Sequence, residues 1–153
     1  MTRFTLNGAE VNVDVAGHAT LLQVLRDPLG LSSPHFGCGA EQCGSCMVLL
    51  DGKPAYACAL GLDAVAKRKV VTVEGLGSAA APHPLQNAFL AEQAGQCGYC
   101  LSGILISAAA LLATNPDPDE DAIRRALEPH LCRCGSHNRI IRAIRRAAQE
   151  MAV

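Results

Sequence analysis

The sequence is poor in aromatic residues. Its 153 residues include no tryptophan and only 3% are aromatic, although 50% are hydrophobic. Aliphatic side chains must therefore fill the core, which suits closely packed helices. A chain of this length forms one ordinary domain or two small ones that share an interface. Folding at this size buries roughly 68–70% of the surface of the unfolded chain, so a substantial core is expected.

A strong net charge and a long apolar run are also missing. The formal charge is −1 at pH 7, which gives no indication of nucleic acid or an anionic membrane surface as a partner. The longest apolar stretch, residues 104–113, is interrupted by Ser107 and is far shorter than the ~20 residues of a membrane span. Residues 1–15 lack the basic start and apolar run of a signal peptide. We expect a cytoplasmic protein with no direct membrane insertion, so that any association with a membrane would be through a partner.

Cysteine is the residue that the sequence has in excess. There are eight cysteines, an even number that disulfides would also permit. Disulfides rarely persist in the reducing cytosol, and no secretion signal is visible. The cysteines are therefore interpreted as metal ligands.

The first half is patterned as a β-rich fold. Apolar residues alternate with polar ones on both sides of Asn7-Gly8, which is a hairpin signal. A second hairpin is predicted at residues 47–50 and 55–59, around the turn Asp51-Gly52, and a last strand at 70–73. A short helix is predicted over 21–25, started by Thr20.

The second half is patterned as helices. Residues 75–84, GLGSAAAPHP, have the composition of a linker. The predicted helices are 84–94, 98–114, 117–128 and 138–151. The segment from 101 to 113 is apolar nearly all round, which is typical of a helix at the centre of a bundle. We therefore predict an α+β protein with domains at 1–75 and 84–153 and a linker at 76–83.

The cysteines form two groups of four, one in each predicted domain. The first group is Cys38-x4-Cys43-x2-Cys46 followed by Cys58, and the second is Cys97-x2-Cys100 followed by Cys132-x-Cys134. A [2Fe–2S] cluster needs four thiolates, two on each iron, and the x4/x2 spacing is that of plant-type ferredoxins. Glycines in the first group allow backbone amides to approach the sulfurs.

The second group is built differently. Cys97 and Cys100 are predicted to open the apolar helix, where the helix dipole favours thiolate charge. Cys132 and Cys134 precede the last helix. Residues i and i+2 of an extended chain point the same way, so both are predicted to reach one iron.

Other interpretations of the cysteines are open from spacing alone. Two zinc sites would use the same thiolates, but zinc sites usually pair two short Cys-x2–4-Cys units. Disulfides and unligated buried cysteines are the remaining alternatives. At the level of function, a stand-alone ferredoxin-like carrier and a structural zinc module are the rivals to a subunit of an enzyme.

Four segments resemble a known family over almost the whole chain. They are FGCGAEQCGSC (36–46), YAC (56–58), GQCGYCLSG (95–103) and LCRCGSH (131–137). In all eight cysteine positions and their spacings the chain is similar to the iron–sulfur subunit of molybdenum hydroxylases, the xanthine dehydrogenase and aldehyde oxidoreductase superfamily. The Cys-Gly-Ser-His ending and the small, separate chain are similar to the nicotinate dehydrogenase and isoquinoline oxidoreductase types.

The resemblance implies a β-grasp, plant-type ferredoxin-like domain followed by an all-α four-helix domain. It implies that the second cysteine group holds the [2Fe–2S] cluster nearer the molybdenum and the first group holds the outer one. Gln96 and Cys134 would contact the molybdopterin, of the cytosine dinucleotide type, in a large partner subunit. Electrons would pass from there to a downstream cytochrome or flavin subunit. The small subunit would have no catalytic residues and no activity alone.

The chain departs from the commonest form of this family at five positions. Glu41 stands where Gly is usual, His35 where Lys is frequent, and Ser102 where Pro is frequent; His130 and His137 stand where Asn and Tyr are often found. None of these changes removes a cysteine. Lone histidines such as His18, His83 and His137 are interpreted as surface or capping residues.

Overall fold

A five-stranded mixed sheet forms the first half of the chain. The computed structural model describes residues 1–15 and 19–152, so the interpretation of His18 lies outside the described residues. The strands are β1 (Thr2–Leu6), β2 (Ala9–Val13), β3 (Met47–Leu50), β4 (Lys53–Tyr56) and β5 (Lys69–Val71). Their order is β2-β1-β5-β3-β4. β1 and β5 are parallel, and the other neighbours are antiparallel.

Both predicted hairpins are present, and their turns have the backbone that this type of hairpin requires. Asn7 and Gly8 have φ of 50° and 86°, and Asp51 and Gly52 have φ of 50° and 82°. Two consecutive residues with positive φ form the type I′ turn, whose twist matches that of the paired strands. The sequence signal at each turn therefore has a direct physical reason.

Helix α1 (Leu21–Arg26) covers one face of this sheet. Its start is fixed by a capping box, in which the Thr20 hydroxyl accepts from the Gln23 amide at 3.3 Å and the Gln23 side chain accepts from the Thr20 amide at 2.9 Å. The apolar residues of the helix are buried with the inner face of the sheet. A one-turn helix, α2 (Leu62–Val65), leads into β5.

Four helices form the second half. They are α3 (Pro84–Ala91), α4 (Leu101–Thr114), α5 (Glu120–Leu127) and α6 (His137–Met151). The His83 ring caps α3 by accepting from the Leu85 amide at 3.1 Å, and Asp119 caps α5 by accepting from the Ala122 amide at 2.7 Å. α4 is the most buried of the four, as its apolar sequence predicted.

The predicted α+β order is confirmed, but several bounds were wrong. α4 begins at Leu101 and not at 98, because Gly98 has φ of +81° and cannot continue a helix. α3 ends at Ala91 because Gln93 is left-handed, with φ of 47°. The strand predicted at 55–59 ends at Tyr56, and the last strand gives way to a 3₁₀ turn at Val73–Gly75.

Two apolar clusters lie side by side, one under the sheet and one among the helices. α4 belongs to the helical cluster and also packs against β3, so it joins the two halves. The contact is close, since a Cβ built on Gly103 of α4 would lie 1.9 Å from the carbonyl oxygen of Gly44, just before β3. Among the described residues, no helix is long and apolar enough to cross a membrane.

Candidate iron–sulfur centres

The first group of cysteines surrounds the loop that precedes β3. Cys38 and Cys43 lie in this loop, Cys46 is buried just before β3, and Cys58 follows β4. The thiols of Cys38 and Cys43 are neighbours, and so are those of Cys46 and Cys58. The charge of the Cys43 thiol adds to the effect of burial in raising the pKa of the Cys46 thiol, so Cys43 is near this pair as well. The fold therefore brings these four sulfurs together.

Backbone amides of the loop point at its sulfurs. Ala40 and Gln42 donate to the Cys38 sulfur at 3.3 and 3.2 Å, and Cys38 donates to the Cys43 sulfur at 3.3 Å. The amide of Ala40, followed by that of Gln42, lowers the pKa of Cys38 to about 7. Hydrogen bonds of this kind stabilise thiolate charge and, in an iron–sulfur site, help to set the reduction potential.

Cys46 has the opposite environment. Burial raises the pKa of its thiol to about 12, because a thiolate is poorly solvated inside the protein. Coordination by a metal deprotonates such a thiol outright. A buried ligand beside an exposed one is therefore compatible with metal binding and encloses one side of the site.

The loop can fold this tightly because it lacks side chains at its closest contacts. A Cβ on Gly37 would lie 2.6 Å from the Cys43 sulfur, and one on Gly44 would lie 2.2 Å from Nδ1 of His130. Glu41 has φ of +57°, a left-handed conformation that favours glycine. This explains why Gly is usual there and implies that Glu41 strains the loop.

The second group gathers at the start of α4. Cys97 and Cys100 lie in the turn before this helix, and Cys132 and Cys134 lie between α5 and α6. The thiols of Cys97 and Cys134 are neighbours, and so are those of Cys100 and Cys132. The Cys132 thiol is also near Cys97, since its charge opposes the lowering of the Cys97 pKa by the Tyr99 amide. The structure therefore brings these four cysteines together as well.

The second group has the same contrast of environments. The Tyr99 amide, followed by the Cys134 thiol, lowers the pKa of Cys97, whereas burial raises the pKa of Cys100 to about 12. Burial also acts to raise the pKa of Cys132, but hydrogen bonds, chiefly from the Ser136 amide, hold it below its ordinary value.

Cys132 and Cys134 were predicted to reach the same iron; in the structure each lies beside a different cysteine of the 97–100 turn. The i, i+2 rule applies to extended chain, but Arg133 and Cys134 form a turn, followed by Gly135 with φ of +72°. This turn places the two thiols beside different cysteines. Similarly, Cys97 and Cys100 precede α4 and are not part of it.

In both groups the thiols are arranged two and two. Within the part of the chain that is described, no three His, Cys, Asp or Glu side chains are grouped around the position of a single ion. Two thiolates on each of two irons is the arrangement that a [2Fe–2S] cluster requires. The donor set, the amides directed at sulfur and the space left by Gly37 all fit this group.

Gln96 and Cys134 line one cleft at the surface of the helical half. The cleft has a volume of about 370 Å³ and is completed by Gly135, Ser136, Asn138, Arg139 and Arg142. Gln96 is exposed and also borders a larger apolar groove, of about 620 Å³, between α3 and the 77–82 segment. The two residues that the resemblance assigned to a pterin contact are thus neighbours on an open surface.

One contact between the cysteine groups, and a buried histidine beside it, were not anticipated from sequence. The backbone amide of Leu131 donates to the carbonyl of Cys43 at 3.1 Å. His130 is buried beside this contact, with Nε2 at 2.7 Å from the Ser107 hydroxyl, and burial lowers its pKa to about 4. The only sequence signal was that His130 stands where Asn is often found.

A second set of contacts links the two groups at the surface. The Tyr99 hydroxyl donates to the carbonyl of Phe36, and its ring stacks on His35 with the centroids 4.3 Å apart. His35 is in turn 3.3 Å from the Ser102 hydroxyl, which donates to the carbonyl of Ser45 at 3.4 Å. Two of the departures from the commonest family form, His35 and Ser102, therefore contact each other.

Two groups of four thiols, in a mixed-sheet half and a helical half, define a two-cluster iron–sulfur protein. Family models agree with this class, since residues 4–73 match the 2Fe-2S iron-sulfur cluster binding domain and residues 72–145 match the [2Fe-2S] binding domain. A nicotinate dehydrogenase chain from Pseudomonas putida is 49% identical over 94% of this chain and 92% of its own length. The alpha subunit of isoquinoline 1-oxidoreductase from Brevundimonas diminuta is 48% identical over 99% and 100%. The chain belongs to the small iron–sulfur subunits of the molybdenum hydroxylases.

Solved structures give the same placement. Quinoline 2-oxidoreductase from Pseudomonas putida 86 matches with a TM-score of 0.94 at 34% identity, over 99% of this chain and 94% of the matched chain. The aldehyde oxidoreductase from Desulfovibrio desulfuricans matches with a TM-score of 0.95 at 36% identity, but this chain covers only 17% of that enzyme. The ferredoxin-like half followed by a helical half is thereby confirmed, as are two [2Fe–2S] binding domains.

Replacing Gly44 by Ala should destabilise the junction between the halves. The added Cβ would meet Nδ1 of His130 and the carbonyl oxygen of Pro129, at 2.2 and 2.7 Å; the first belongs to a buried ring and the second to the backbone. We expect a loss of about 2–4 kcal/mol in the free energy of unfolding, from overpacking added to the cost of a positive φ.

Gly52→Ala is the matched control for this variant. Gly52 also has a positive φ, of +82°, but an added Cβ there would meet nothing within 4 Å. It should therefore lose only about 1 kcal/mol. Denaturant unfolding of the iron-loaded protein measures both values, and equal losses would contradict the close packing at Gly44.

Glu41→Gly should stabilise the first cysteine loop. The variant removes the left-handed strain of Glu41, whereas Glu41→Ala retains it. The Gly variant should exceed the Ala variant by about 1 kcal/mol in the free energy of unfolding. Chemical denaturation compares the two, and a Gly variant no more stable than the Ala variant would show that Glu41 is not strained.

Proposed function

We propose that this subunit relays electrons from a molybdopterin site in a large partner subunit to an external acceptor. The ligands of the inner cluster are Cys97, Cys100, Cys132 and Cys134; those of the outer cluster are Cys38, Cys43, Cys46 and Cys58. When bound, each [2Fe–2S] group takes up and releases one electron at a time, so the two electrons of a hydroxylation leave singly. The gathering of the eight thiols into two groups, each made of two neighbouring pairs, is the observation that carries this assignment.

The surface around each group supports its place in the relay. Gln96 and Cys134 line an open cleft, where the exposed amide of Gln96 is free to hydrogen-bond a pterin of the partner. A pterin of the cytosine dinucleotide type is part of this proposal. At the other group, residues 36–42 are exposed, so this loop faces the downstream acceptor, a cytochrome or a flavin subunit.

We propose that the partner hydroxylates an N-heteroaromatic ring beside its nitrogen, with oxygen from water. Subunits of enzymes named for nicotinate and isoquinoline are 49% and 48% identical to this chain, and both correspond to it in length. The second candidate is an aldehyde substrate. The aldehyde oxidoreductase of Megalodesulfovibrio gigas is 40% identical, although this chain spans only 16% of it. The small subunit itself is expected to have no activity alone.

We further propose the division of the chain into domains at 1–75 and 84–153, joined by 76–83. The two apolar clusters, one in each half, support it. Val73 and Leu76 pack against the helical cluster, so the end of the first domain is anchored on the second. The proposed linker therefore starts from a fixed point.

Electron paramagnetic resonance of the dithionite-reduced complex tests the ligand assignment. The wild-type complex should give two distinguishable signals. Cys134→Ser should disturb only one of them, and Cys58→Ser, its matched control in the other group, should disturb only the other. Because the two sets of four share no thiol, loss of both signals from either well-folded variant would contradict the division of ligands.

Purification from the native source tests the partner. The subunit should co-purify with a large molybdenum-containing chain that oxidises an N-heteroaromatic compound. A free monomer that carries both signals would instead identify a stand-alone carrier, and preferential turnover of aldehydes would favour the second substrate.

A further inference from the structure

His130 lies next to the backbone hydrogen bond that joins Leu131 to Cys43 and so links the two cysteine groups. It lies two residues before Cys132, yet its side chain is only 8% exposed. Nε2 is 2.7 Å from the hydroxyl of Ser107, in the middle of α4. Nδ1 is buried and has no hydrogen-bond partner among the described residues. Such a placement is costly for a polar ring, which indicates that the position requires its shape and its bond to Ser107.

The ring fits between two glycines without spare volume. A Cβ on Gly44 would lie 2.2 Å from Nδ1, and a Cβ on Gly103 would lie 3.2 Å from Cε1. The same added atom on Gly103 would be 1.9 Å from the carbonyl oxygen of Gly44. The Cys43–Gly44 loop, helix α4 and the His130 ring are thus in mutual contact, and we call Gly44, Gly103 and His130 the junction.

The junction adjoins a direct link between the two groups of ligands. The Leu131 amide donates to the carbonyl of Cys43 at 3.1 Å. Cys43 belongs to the first group, and Leu131 immediately precedes Cys132 of the second. The ring is held at Ser107 and packed against Gly44, so it restrains the backbone of residue 130 and thereby supports this link at residue 131.

We propose that His130 is a positioning residue: its bond to Ser107 and its packing against Gly44 hold the two cysteine groups at a fixed separation, and thereby set the electronic coupling between the clusters. The proposal rests on the two-cluster function above. Because coupling between redox groups falls steeply with distance, a small movement at this junction changes it without removing any ligand.

The test compares His130→Ala with His130→Gln in the iron-loaded complex. Ala removes both the ring and the bond to Ser107. A Gln amide can reach the Ser107 hydroxyl, as Nε2 does, and is the conservative variant. His83→Asn is the control, because it also removes an imidazole but keeps a residue that caps α3 and lies away from the junction.

Two measurements report on the geometry of the junction and not on the overall stability of the protein. The first is the splitting, in the fully reduced complex, that arises from magnetic interaction between the two clusters. The second is hydrogen exchange of the peptide that contains the Leu131 amide. At unchanged iron content, His130→Ala should lose the splitting and exchange about tenfold faster at this peptide, whereas His130→Gln and His83→Asn should match the wild type.

A His130→Ala variant with wild-type splitting and exchange would overturn the proposal. If this variant does not assemble, Ser107→Ala tests the proposal instead, because it removes only the hydrogen bond to His130. A weakened splitting in Ser107→Ala supports the proposal, and an unchanged splitting overturns it. If the wild type itself lacks two cluster signals, the proposed function has failed. The exchange of the Leu131 peptide then still tests the positioning role of His130 by itself.

Discussion

The eight cysteine sulfurs must converge in two groups of four. The backbone around these groups is packed so closely that several positions have no room for a side chain. Gly37 lies against the sulfur of Cys43, and Gly103 of α4 lies against the carbonyl of Gly44. Sulfurs gathered in this way would repel one another as thiolates, so amides such as those of Ala40 and Tyr99 are directed at them. Both halves are folded so that the cysteines converge and backbone amides reach their sulfurs.

Helix α4 connects the two halves of the molecule. Its apolar sequence fills the helical cluster, while its first turns face β3 and the first cysteine loop. With few aromatic residues, the core relies on small and branched aliphatic side chains, which allow helix and loop to approach to backbone contact. The aliphatic composition therefore suits the close contact between α4 and the first cysteine loop.

Much of this could be predicted from the sequence, because local signals decided it. Asn7-Gly8 and Asp51-Gly52 require the hairpin turns that they form, Thr20 begins α1, and the apolar segment from 101 marks the central helix. Cysteine spacing alone separated the two groups. These signals act over a few residues, where propensity and periodicity are strong.

What could not be predicted depends on contacts between distant segments. Cys132 and Cys134 lie beside different cysteines of the 97–100 turn. This arrangement follows from a turn at Arg133 that the spacing of the cysteines does not reveal. The burial of His130 depends on α4, and the cleft shared by Gln96 and Cys134 depends on the packing of α6. Backbone conformation at Glu41 likewise became visible only with the loop in place.

The most direct test of this account is the metal and inorganic sulfide content of the native complex, prepared without oxygen. Two pairs of thiolates in each group predict about four iron and about four sulfide per small subunit, with zinc absent. Stoichiometric zinc, or disulfides linking these cysteines in such material, would contradict the account at its foundation.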